Sequence, residues 1–369
     1  MNRRLFLKVG VAAPAAYAAS SIVPGAVSAA LAQVQANPEW RIFEVTTRVE
    51  ILKPAGGTRV WLPVPLVFDT DYQKSLGNQW TAEGGEAVLS QDAKSNMGIL
   101  SADWGNGGKP VLSLTSRFAT RNRAIALDKV SAGPVQSARE DLGFFLQPSA
   151  LIPTDGIVRS TAAEITKGTK TDLQKARAIY DWIVEITYRD PKTRGCGVGD
   201  IKFMLENNSL GGKCADLNAL YVGLARAAGL PARDVYGVRV ANSANGYKSL
   251  GRAGDITKAQ HCRAEVHLSG YGWVPVDPAD VRKVMLEEEP GKILGFDDER
   301  VVRARKTLFG GWEMNWLAYN YAHDVALPKA AKGKVGFLMY PQGETAEGRL
   351  DSLDPENFKY QITSKELSA

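Results

Sequence analysis

Cysteine and histidine are scarce in this chain, whose 369 residues include three of each. An odd number of cysteines leaves at least one thiol unpaired, although a disulfide between Cys196 and Cys262 stays open. There is no Cys-x-x-Cys pair, and His261 and Cys262 are neighbours on a predicted strand, where their side chains would point to opposite faces. The sequence therefore predicts no zinc site, and no metal or other cofactor is expected.

An excess of charge of one sign is also missing. The 45 basic and 40 acidic side chains give a formal charge of +5 that is scattered along the chain, so nucleic acid is not an expected partner. The longest acidic run, residues 287–289, is too short for an acidic tail, and no dense acidic loop suited to calcium is present. The hydrophobic content of 44% is that of a folded protein.

Long apolar runs are absent beyond the N-terminus. Arg3 and Arg4 precede a stretch rich in Ala, Gly and Val, and residues 30–32 (Ala-Leu-Ala) have the small-x-small pattern of a signal cleavage site. The paired arginines resemble a twin-arginine export signal, so residues 1–32 are predicted to be a signal peptide and the protein to be periplasmic or otherwise exported. No stable membrane span is expected after cleavage, whereas an uncleaved signal would tether the same domains to the membrane.

Residues 40–130 are predicted to form a β-rich domain. Apolar and polar residues alternate from Phe43 to Ile51, and the same alternation recurs at 60–64 and 112–118. Clusters of Gly, Asn and Asp separate these runs. The pattern favours a small β-sandwich, and the region contains no cysteine or histidine to carry chemistry.

Residues 140–325 combine helical and strand patterns, which predicts an α+β protein. A helix is predicted from Cys214 to Ala228, where Gly229 stops it. Alternating runs at 261–268 and 273–277 then predict two strands joined by a turn. The aromatic stretch at 309–327 is interpreted as a cover for the core, and residues 326–369 as a C-terminal extension with short strands.

The segment Gly211-Gly212-Lys213-Cys214 carries the strongest chemical signal. Two glycines allow a tight turn and the close approach of a substrate, and Cys214 then opens the predicted helix. A thiol at a helix N-terminus is favoured as thiolate, the form that attacks, and the free N–H groups of the first turn suit a developing oxyanion. Cys214 is therefore the candidate nucleophile, while Asp216 in the first turn is interpreted as structural.

A thiolate nucleophile works best with an imidazole partner and a group that orients the imidazole. His261 and Asp277 lie symmetrically about residue 269, where the predicted turn begins, so a hairpin with a small offset would bring their side chains together. Of the other two histidines, His267 is interpreted as a surface or structural residue and His323 as a packing residue.

Four blocks of this sequence resemble the bacterial transglutaminase-like domain. They are Cys214-Ala-Asp-Leu, the helix end Ala228-Gly-Leu-Pro-Ala-Arg, His261-Cys-Arg-Ala-Glu-Val and Gly272-Trp-Val-Pro-Val-Asp. The resemblance implies a papain-like transglutaminase core over residues 140–325, preceded by the β-sandwich-like domain. It also implies that Cys214 is the nucleophile, His261 the acid/base and Asp277 the orienting acid.

The chain departs from that family at Arg263, where an aromatic residue is usual, and this puts the pocket wall and the substrate preference in question. Tyr188 is the nearest match to the residue that helps to hold the oxyanion.

The resemblance implies a cysteine-dependent acyl-transfer enzyme that cleaves or transamidates an amide bond through a Cys214 thioester. Water as the second reactant would make it a peptidase or amidase, and an amine would make it a transglutaminase. The sequence leaves both open and favours hydrolysis slightly, because no amine site is evident. The expected partner is a protein or peptide substrate, with the cell envelope as its candidate source. The alternative is a non-catalytic transglutaminase-fold binding module of the cell envelope.

Overall fold

A computed structural model describes residues 39–106, 108–129 and 141–367, so the predicted signal peptide, residues 1–32, lies outside the described residues. The six α-helices of the described part are α1 (Gly156–Ile165), α2 (Asp172–Ile186), α3 (Ile201–Glu206), α4 (Cys214–Ala227), α5 (Pro278–Glu287) and α6 (Glu299–Thr307). Within the same part, no helix combines the length and the apolar character needed to cross a bilayer.

The strands fall into an N-terminal group and a group that alternates with the helices. The first group is β1 (Arg41–Glu50), β2 (Thr58–Val64), β3 (Gln73–Glu83), β4 (Glu86–Asp92), β5 (Met97–Trp104), β6 (Val111–Thr120) and β7 (Arg123–Ala124). The second group is β8 (Tyr188–Arg189), β9 (Gly211–Gly212), β10 (Ala232–Arg239), β11 (Gly254–Asp255), β12 (Gln260–Leu268), β13 (Gly272–Val276), β14 (Gly311–Trp312), β15 (Trp316–Asn320), β16 (Gln342–Thr345), β17 (Gly348–Arg349) and β18 (Lys359–Leu367). This mixture confirms the predicted α+β class.

The N-terminal region is a β-sandwich of two five-stranded sheets, ordered β11-β18-β1-β6-β3 and β17-β16-β2-β5-β4. Alternation along β1 builds its core, since Phe43, Val45 and Val49 are buried while Arg48 is exposed. The three buried side chains belong to one hydrophobic cluster with Leu62 of β2, which lies in the opposite sheet. Burial of each such side chain contributes about 2 kcal/mol, so the alternating pattern fixes which face of the strand points inward.

The C-terminal strands complete this sandwich. β18 pairs antiparallel with β1 from Leu367 opposite Ile42 to Lys359 opposite Glu50, and β16 pairs with β2. The chain therefore returns to the N-terminal sheets after the helical region. The segment between β17 and β18 passes the mouth of the candidate site, where Leu353 of this segment and Tyr360 at the start of β18 line the opening.

The second unit is built on the antiparallel sheet β13-β12-β10-β15. α4 packs against β12 and β10 and is surrounded by α1, α2 and α5. Gly223 allows close packing of α4 against α3, because a Cβ atom there would lie 2.1 Å from the side chain of Ile201. Gly229, with φ +86°, stands just beyond the helix end, as the sequence predicts.

The aromatic stretch at 309–327 is part of the sheet rather than only a cover for it. Residues 316–320 form β15, which pairs antiparallel with β10. Trp316 is fully buried, and its indole N–H donates to the carbonyl oxygen of His261 at 2.8 Å. This strand therefore braces β12 directly behind the candidate acid/base.

A buried ion-pair network joins the sandwich to the second unit. Glu265 on β12 accepts hydrogen bonds from Arg233 of β10 and from Arg123 of β7. The Arg233 guanidinium lies 3.8 Å from the ring centroids of both Trp273 and Tyr321. Burial would raise the pKa of Glu265, but the two guanidinium groups outweigh it and lower that pKa. The carboxylate is thus held ionised between the two units.

Candidate active site

The candidate nucleophile stands at the N-terminus of a firmly anchored helix. Cys214 is the first residue of α4, follows Lys213 as N-cap, and is only 4% exposed. The side chain of Asp216 accepts a hydrogen bond from the Lys213 N–H at 3.0 Å and others from the N–H groups of Val198 and Gly199, each at 2.9 Å. Asp216 is therefore structural, as interpreted from the sequence, because it locks the loop before α3 onto the start of α4.

Cys196 lies on that loop and completes the surroundings of the nucleophile. Its carbonyl oxygen accepts a hydrogen bond from the Ala215 N–H at 2.9 Å, which occupies one free donor of the first helical turn. The N–H of Cys214 finds no acceptor among the described residues. That N–H is available to the oxygen of a carbonyl group whose carbon is attacked by the Cys214 sulfur.

The β12–β13 hairpin brings His261 and Asp277 together. Leu268 pairs with Gly272 and Ala264 with Val276, so the hairpin is centred on residue 270 and Asp277 lies diagonally across from His261. The Nε2 atom of His261 lies 2.7 Å from Oδ2 of Asp277. Because Nε2 is engaged there, Nδ1 is the ring nitrogen available to the thiol.

Asp277 is an N-cap rather than the last residue of a strand, since β13 ends at Val276. Its Oδ1 atom accepts the N–H of Asp280 at 3.1 Å, which caps α5. Asn218 of α4 is a further contact, because its amide donates to the Cys262 carbonyl oxygen at 2.8 Å and lies 3.3 Å from Asp277 Oδ1. These bonds tie the helix of the nucleophile to the orienting carboxylate.

A second carboxylate beside His261 was not predicted from the sequence. Asp280 Oδ2 lies 3.4 Å from His261 Nε2, and Arg239 donates to both Asp280 oxygens at 2.6 and 2.8 Å. Burial and the Arg239 charge oppose protonation of the imidazole, but Asp280 and Asp277 outweigh them and raise the pKa of His261 to about 9. The imidazolium is therefore the main form at neutral pH.

The same three side chains are the ones that could hold a metal ion in this region. The ligand atoms of His261, Asp277 and Asp280 lie within 4.8 Å of one another. The bidentate pair with Arg239 already supplies a positive charge to Asp280. The donor set is therefore better explained as a charge-balanced hydrogen-bond network than as a metal site.

All three cysteines are free thiols, and Cys214 interacts with the other two. Hydrogen bonds from Cys196 and Cys262, together with His261, outweigh burial and hold the pKa of Cys214 well below that of an ordinary thiol. The bond to Cys214 and burial in turn raise the pKa of Cys196, and burial and Cys214 raise that of Cys262. The cluster thus favours one thiolate, on Cys214, flanked by two neutral thiols.

The thiol of Cys196 gives a direct test of this arrangement. Its single proton has two acceptors, the Cys214 sulfur and the Gln260 carbonyl oxygen at 3.2 Å. Cys196→Ala removes the donor, so we expect alkylation of Cys214 by iodoacetamide at pH 6 to slow by up to about tenfold, as for the loss of one hydrogen bond to a charged group. Cys196→Ser keeps an O–H donor and should slow it much less. Equal rates of Cys214 alkylation in Cys196→Ala and Cys196→Ser would contradict the role of Cys196 as a hydrogen-bond donor to Cys214.

Two residues singled out from the sequence lie outside the cleft. Tyr188, the proposed oxyanion-side residue, is 52% exposed and is not among the lining residues, because its ring packs over Gly211. Arg263 is buried behind Asp277 rather than in the pocket wall, with its guanidinium 4.8 Å from the Trp316 ring centroid. Tyr340 lines the cleft in place of Tyr188, and its hydroxyl interacts with Cys196.

The other two histidines stand apart from this site. His323 Nε2 lies 3.1 Å from Asp234 Oδ2, and its ring contacts Tyr236. His267 is partly buried, and its ring contacts Trp273 edge to face. Both positions agree with the structural parts assigned to them from the sequence.

Cys214 and His261 share one cleft of about 570 Å³. Cys196 and Tyr340 line it near the thiol, residues 248–260 form one side, and Leu353 and Tyr360 of the C-terminal segment form another. The cleft thus holds a buried thiolate–imidazolium pair whose imidazole is oriented by a carboxylate. This arrangement suits a cysteine nucleophile that attacks a carbonyl carbon.

Comparison with known proteins agrees with this architecture. Residues 159–278 match the family model described as the transglutaminase-like superfamily, and the matched range includes Cys214, His261 and Asp277. An uncharacterized protein of Haemophilus influenzae is 33% identical over 349 residues, which cover 90% of this chain and 93% of that protein. Residues 159–278 therefore form a transglutaminase-like domain.

Solved structures with detectable likeness are more distant. A candidate cysteine protease from Cytophaga hutchinsonii is 16% identical, with a TM-score of 0.49 and coverage of 88% of this chain and 98% of that chain. The periplasmic domain of TgpA from Pseudomonas aeruginosa is 14% identical, with a TM-score of 0.38 and coverage of 71% and 94%. The assignment of the domain therefore rests on the sequence match of residues 159–278.

Proposed function

We propose that this protein is a cysteine-dependent acyl-transfer enzyme that acts on an amide bond through a Cys214 thioester. The observation that carries the proposal is the buried His261–Asp277 pair, 2.7 Å between Nε2 and Oδ2, placed beside a helix-terminal thiol whose pKa is lowered. The opposite shifts of the two pKa values favour the thiolate–imidazolium form, in which the nucleophile is charged before the substrate arrives.

In the proposed reaction the Cys214 thiolate attacks the amide carbonyl carbon and forms a C–S bond. The resulting oxyanion accepts a hydrogen bond from the Cys214 N–H. The C–N bond then breaks, and the His261 imidazolium gives its proton to the leaving amine, which leaves a thioester. Water or a second amine, losing its proton to the neutral His261, attacks the thioester and releases Cys214 as thiolate.

We propose hydrolysis as the second step. Polar and charged side chains make up most of the cleft lining, so water has access to the thioester. The proposed substrate is a protein or peptide, and the N-terminal sequence supports an exported enzyme that meets it in the periplasm or cell envelope. Product analysis with and without an added primary amine distinguishes a carboxylic acid product from a new amide.

The first test is the pH dependence of alkylation of Cys214, followed by mass spectrometry. We expect labelling to stay fast well below the ordinary thiol pKa of about 8.5 and to slow in His261→Ala. Cys196 and Cys262, whose pKa values are raised, serve as controls within the same digest. His323→Ala is the matched histidine control, because His323 lies in a different hydrogen-bonded pair.

The pH dependence of turnover should show a decline on the alkaline side. Since the pKa of His261 is raised to about 9, the proton needed by the leaving amine is lost as pH rises through that value, and kcat/KM should fall there. Labelling of Cys214 no faster than that of an ordinary exposed thiol would overturn the proposal and favour a non-catalytic binding module.

A further inference from the structure

The lining of the cleft is strongly basic, although the whole chain has a charge of only +5. Seven of the residues that line it are Lys or Arg, and Glu287 is the one acidic residue among them. A concentration of one sign in a concave site raises the local concentration of ions of the opposite sign. The charge of this cleft is therefore a property of the site and not of the composition.

Part of that positive charge is already balanced. Arg239 is paired with Asp280 below the cleft floor. Arg189 and Lys283 both pair with Glu287, Lys283 at 3.6 Å, so two cations share one carboxylate. Arg189, Arg239 and Lys283 thus share two carboxylates, which leaves a net positive charge even after pairing.

The side chains of the remaining four basic residues form no ion pair with a carboxylate within the described part of the chain. Lys213 is the N-cap of the helix that begins with Cys214. Lys248, Arg252 and Lys258 are exposed on the loop between β10 and β12, and we call these three the basic rim. Arg252 Nε donates to the Asp255 carbonyl oxygen at 3.0 Å, so this guanidinium is hydrogen-bonded to the backbone rather than to a carboxylate.

The basic rim is held in place by hydrogen bonds on both sides. The N–H groups of Lys248 and Ser249 donate to Glu288 at 2.9 and 3.0 Å. Near Lys258, the N–H of Ile362 donates to the Thr257 hydroxyl at 2.9 Å, which fixes the loop to β18. The backbone that carries the basic rim is therefore held along the edge of the cleft, which keeps the three charged side chains beside it.

The neighbouring groove on the sandwich offers a useful contrast. It shares Arg252 and Lys258 with the cleft but also contains Glu50, Asp255 and Glu356, and its Lys359 is paired with Glu50 at 3.0 Å. Acidic side chains thus offset the basic ones in this groove, whereas the cleft beside Cys214 keeps an excess of positive charge.

We propose that the acyl donor is an anionic peptide, whose carboxylates contact the basic rim and Lys213 while its amide bond lies over Cys214. This inference rests on the proposed function, because it names the substrate of the same site. A neutral or basic peptide would leave the fixed cations unpaired, whereas carboxylates placed against them gain charge-assisted hydrogen bonds.

A test of the inference that needs no known substrate compares iodoacetate with iodoacetamide, which differ mainly in charge. For Cys214 we expect the ratio of the iodoacetate rate to the iodoacetamide rate to exceed that for a free cysteine-containing peptide by on the order of tenfold at low salt. The excess should shrink as salt is raised, because the rim is exposed. A ratio equal to that of the free peptide would overturn the inference.

Two variants separate the rim from the charge of the imidazolium. The double variant Lys248→Glu, Lys258→Glu should bring the ratio down towards that of the free peptide. Lys365→Glu, at an exposed position of β18 that is not among the lining residues, is the matched control and should keep the wild-type ratio. An unchanged ratio in the double variant would contradict the part played by the rim.

Peptide substrates give the final readout. Peptide amides that differ only by Glu in place of Gln near the cleaved bond should differ in kcat/KM in favour of Glu, and the preference should reverse or vanish in the double variant. Failure of the proposed function itself looks different, because iodoacetamide would then label Cys214 slowly whatever the reagent ratio.

Discussion

Cys214→Ala is expected to reduce cleavage or transamidation of a peptide amide by at least about 10⁴-fold, because catalysis by an activated nucleophile fails as a unit when the nucleophile is lost. Cys196 and Cys262 cannot replace it, since their pKa values are raised and neither is placed at the N-terminus of α4. The measurement is product formation by liquid chromatography and mass spectrometry at pH 7.

Two controls make this result specific. Cys214→Ser keeps nearly the same side-chain volume, but the hydroxyl stays protonated where the thiol ionises, so it should be almost as inactive. Cys262→Ala removes one of the two thiols that hydrogen-bond to Cys214 without removing the nucleophile, so turnover should fall by no more than about tenfold, far less than in Cys214→Ala. Thermal unfolding of each variant checks that the fold is kept. Turnover of Cys214→Ala near the wild-type rate would exclude the thioester mechanism.

The helix that begins at the candidate nucleophile Cys214 could be predicted because its signals are local. Two glycines, a helix-starting pattern at Cys214 and Gly229 beyond the end of α4 are all contained within 19 residues of sequence. The partnership of His261 with Asp277 was predictable only in outline, since it depends on the register of a hairpin. The sequence placed the centre of that hairpin near residue 269, and the pairing places it at 270, which makes the contact diagonal.

The charge network behind His261 could not be predicted. Asp280 follows an N-cap Asp by three residues, and such a position is well explained by the start of a helix. Arg239, its ion-pair partner, is 41 residues away in sequence and reaches it only after β10 packs beside β12. Contacts of this kind depend on tertiary packing, for which one sequence carries no direct signal.

The surroundings of the cleft were also beyond sequence reasoning. Tyr188 matched a family position, but β8 pairs in parallel with β9, so that Tyr188 lies over Gly211 while Arg189 lines the cleft. Tyr340 comes from a C-terminal region whose strands return to the sandwich. Positive charge that is scattered in the sequence becomes concentrated only when the loop carrying Lys248 folds over the site.

Asp277→Asn is expected to lower kcat/KM by about 10²- to 10⁴-fold, in line with loss of the orienting carboxylate in other triads. Asparagine is as good an N-cap as aspartate, so the cap of α5 should persist and stability should fall little. What is lost is the negative charge that holds the His261 ring in one orientation and favours its protonation.

The sign of the accompanying pH effect follows from the same contacts. Asp280 and Asp277 raise the pKa of His261 against burial and Arg239, so removing one carboxylate charge lowers that pKa from about 9. The imidazolium is then lost at lower pH, and the alkaline limb of kcat/KM should move down with it. NMR titration of the imidazole C–H signals measures the same change directly, and with three histidines in the chain His261 is readily assigned from His261→Gln.

Asp234→Asn is the matched control, because it removes the charge of a carboxylate that contacts a different histidine, His323, outside the cleft. That variant should leave both the alkaline limb and the turnover close to wild type. If Asp277→Asn also kept the alkaline limb in place, Asp277 would serve only as the cap of α5. The orientation of the imidazole would then be assigned to Asp280, and Asp280→Asn would have to show the loss in its place.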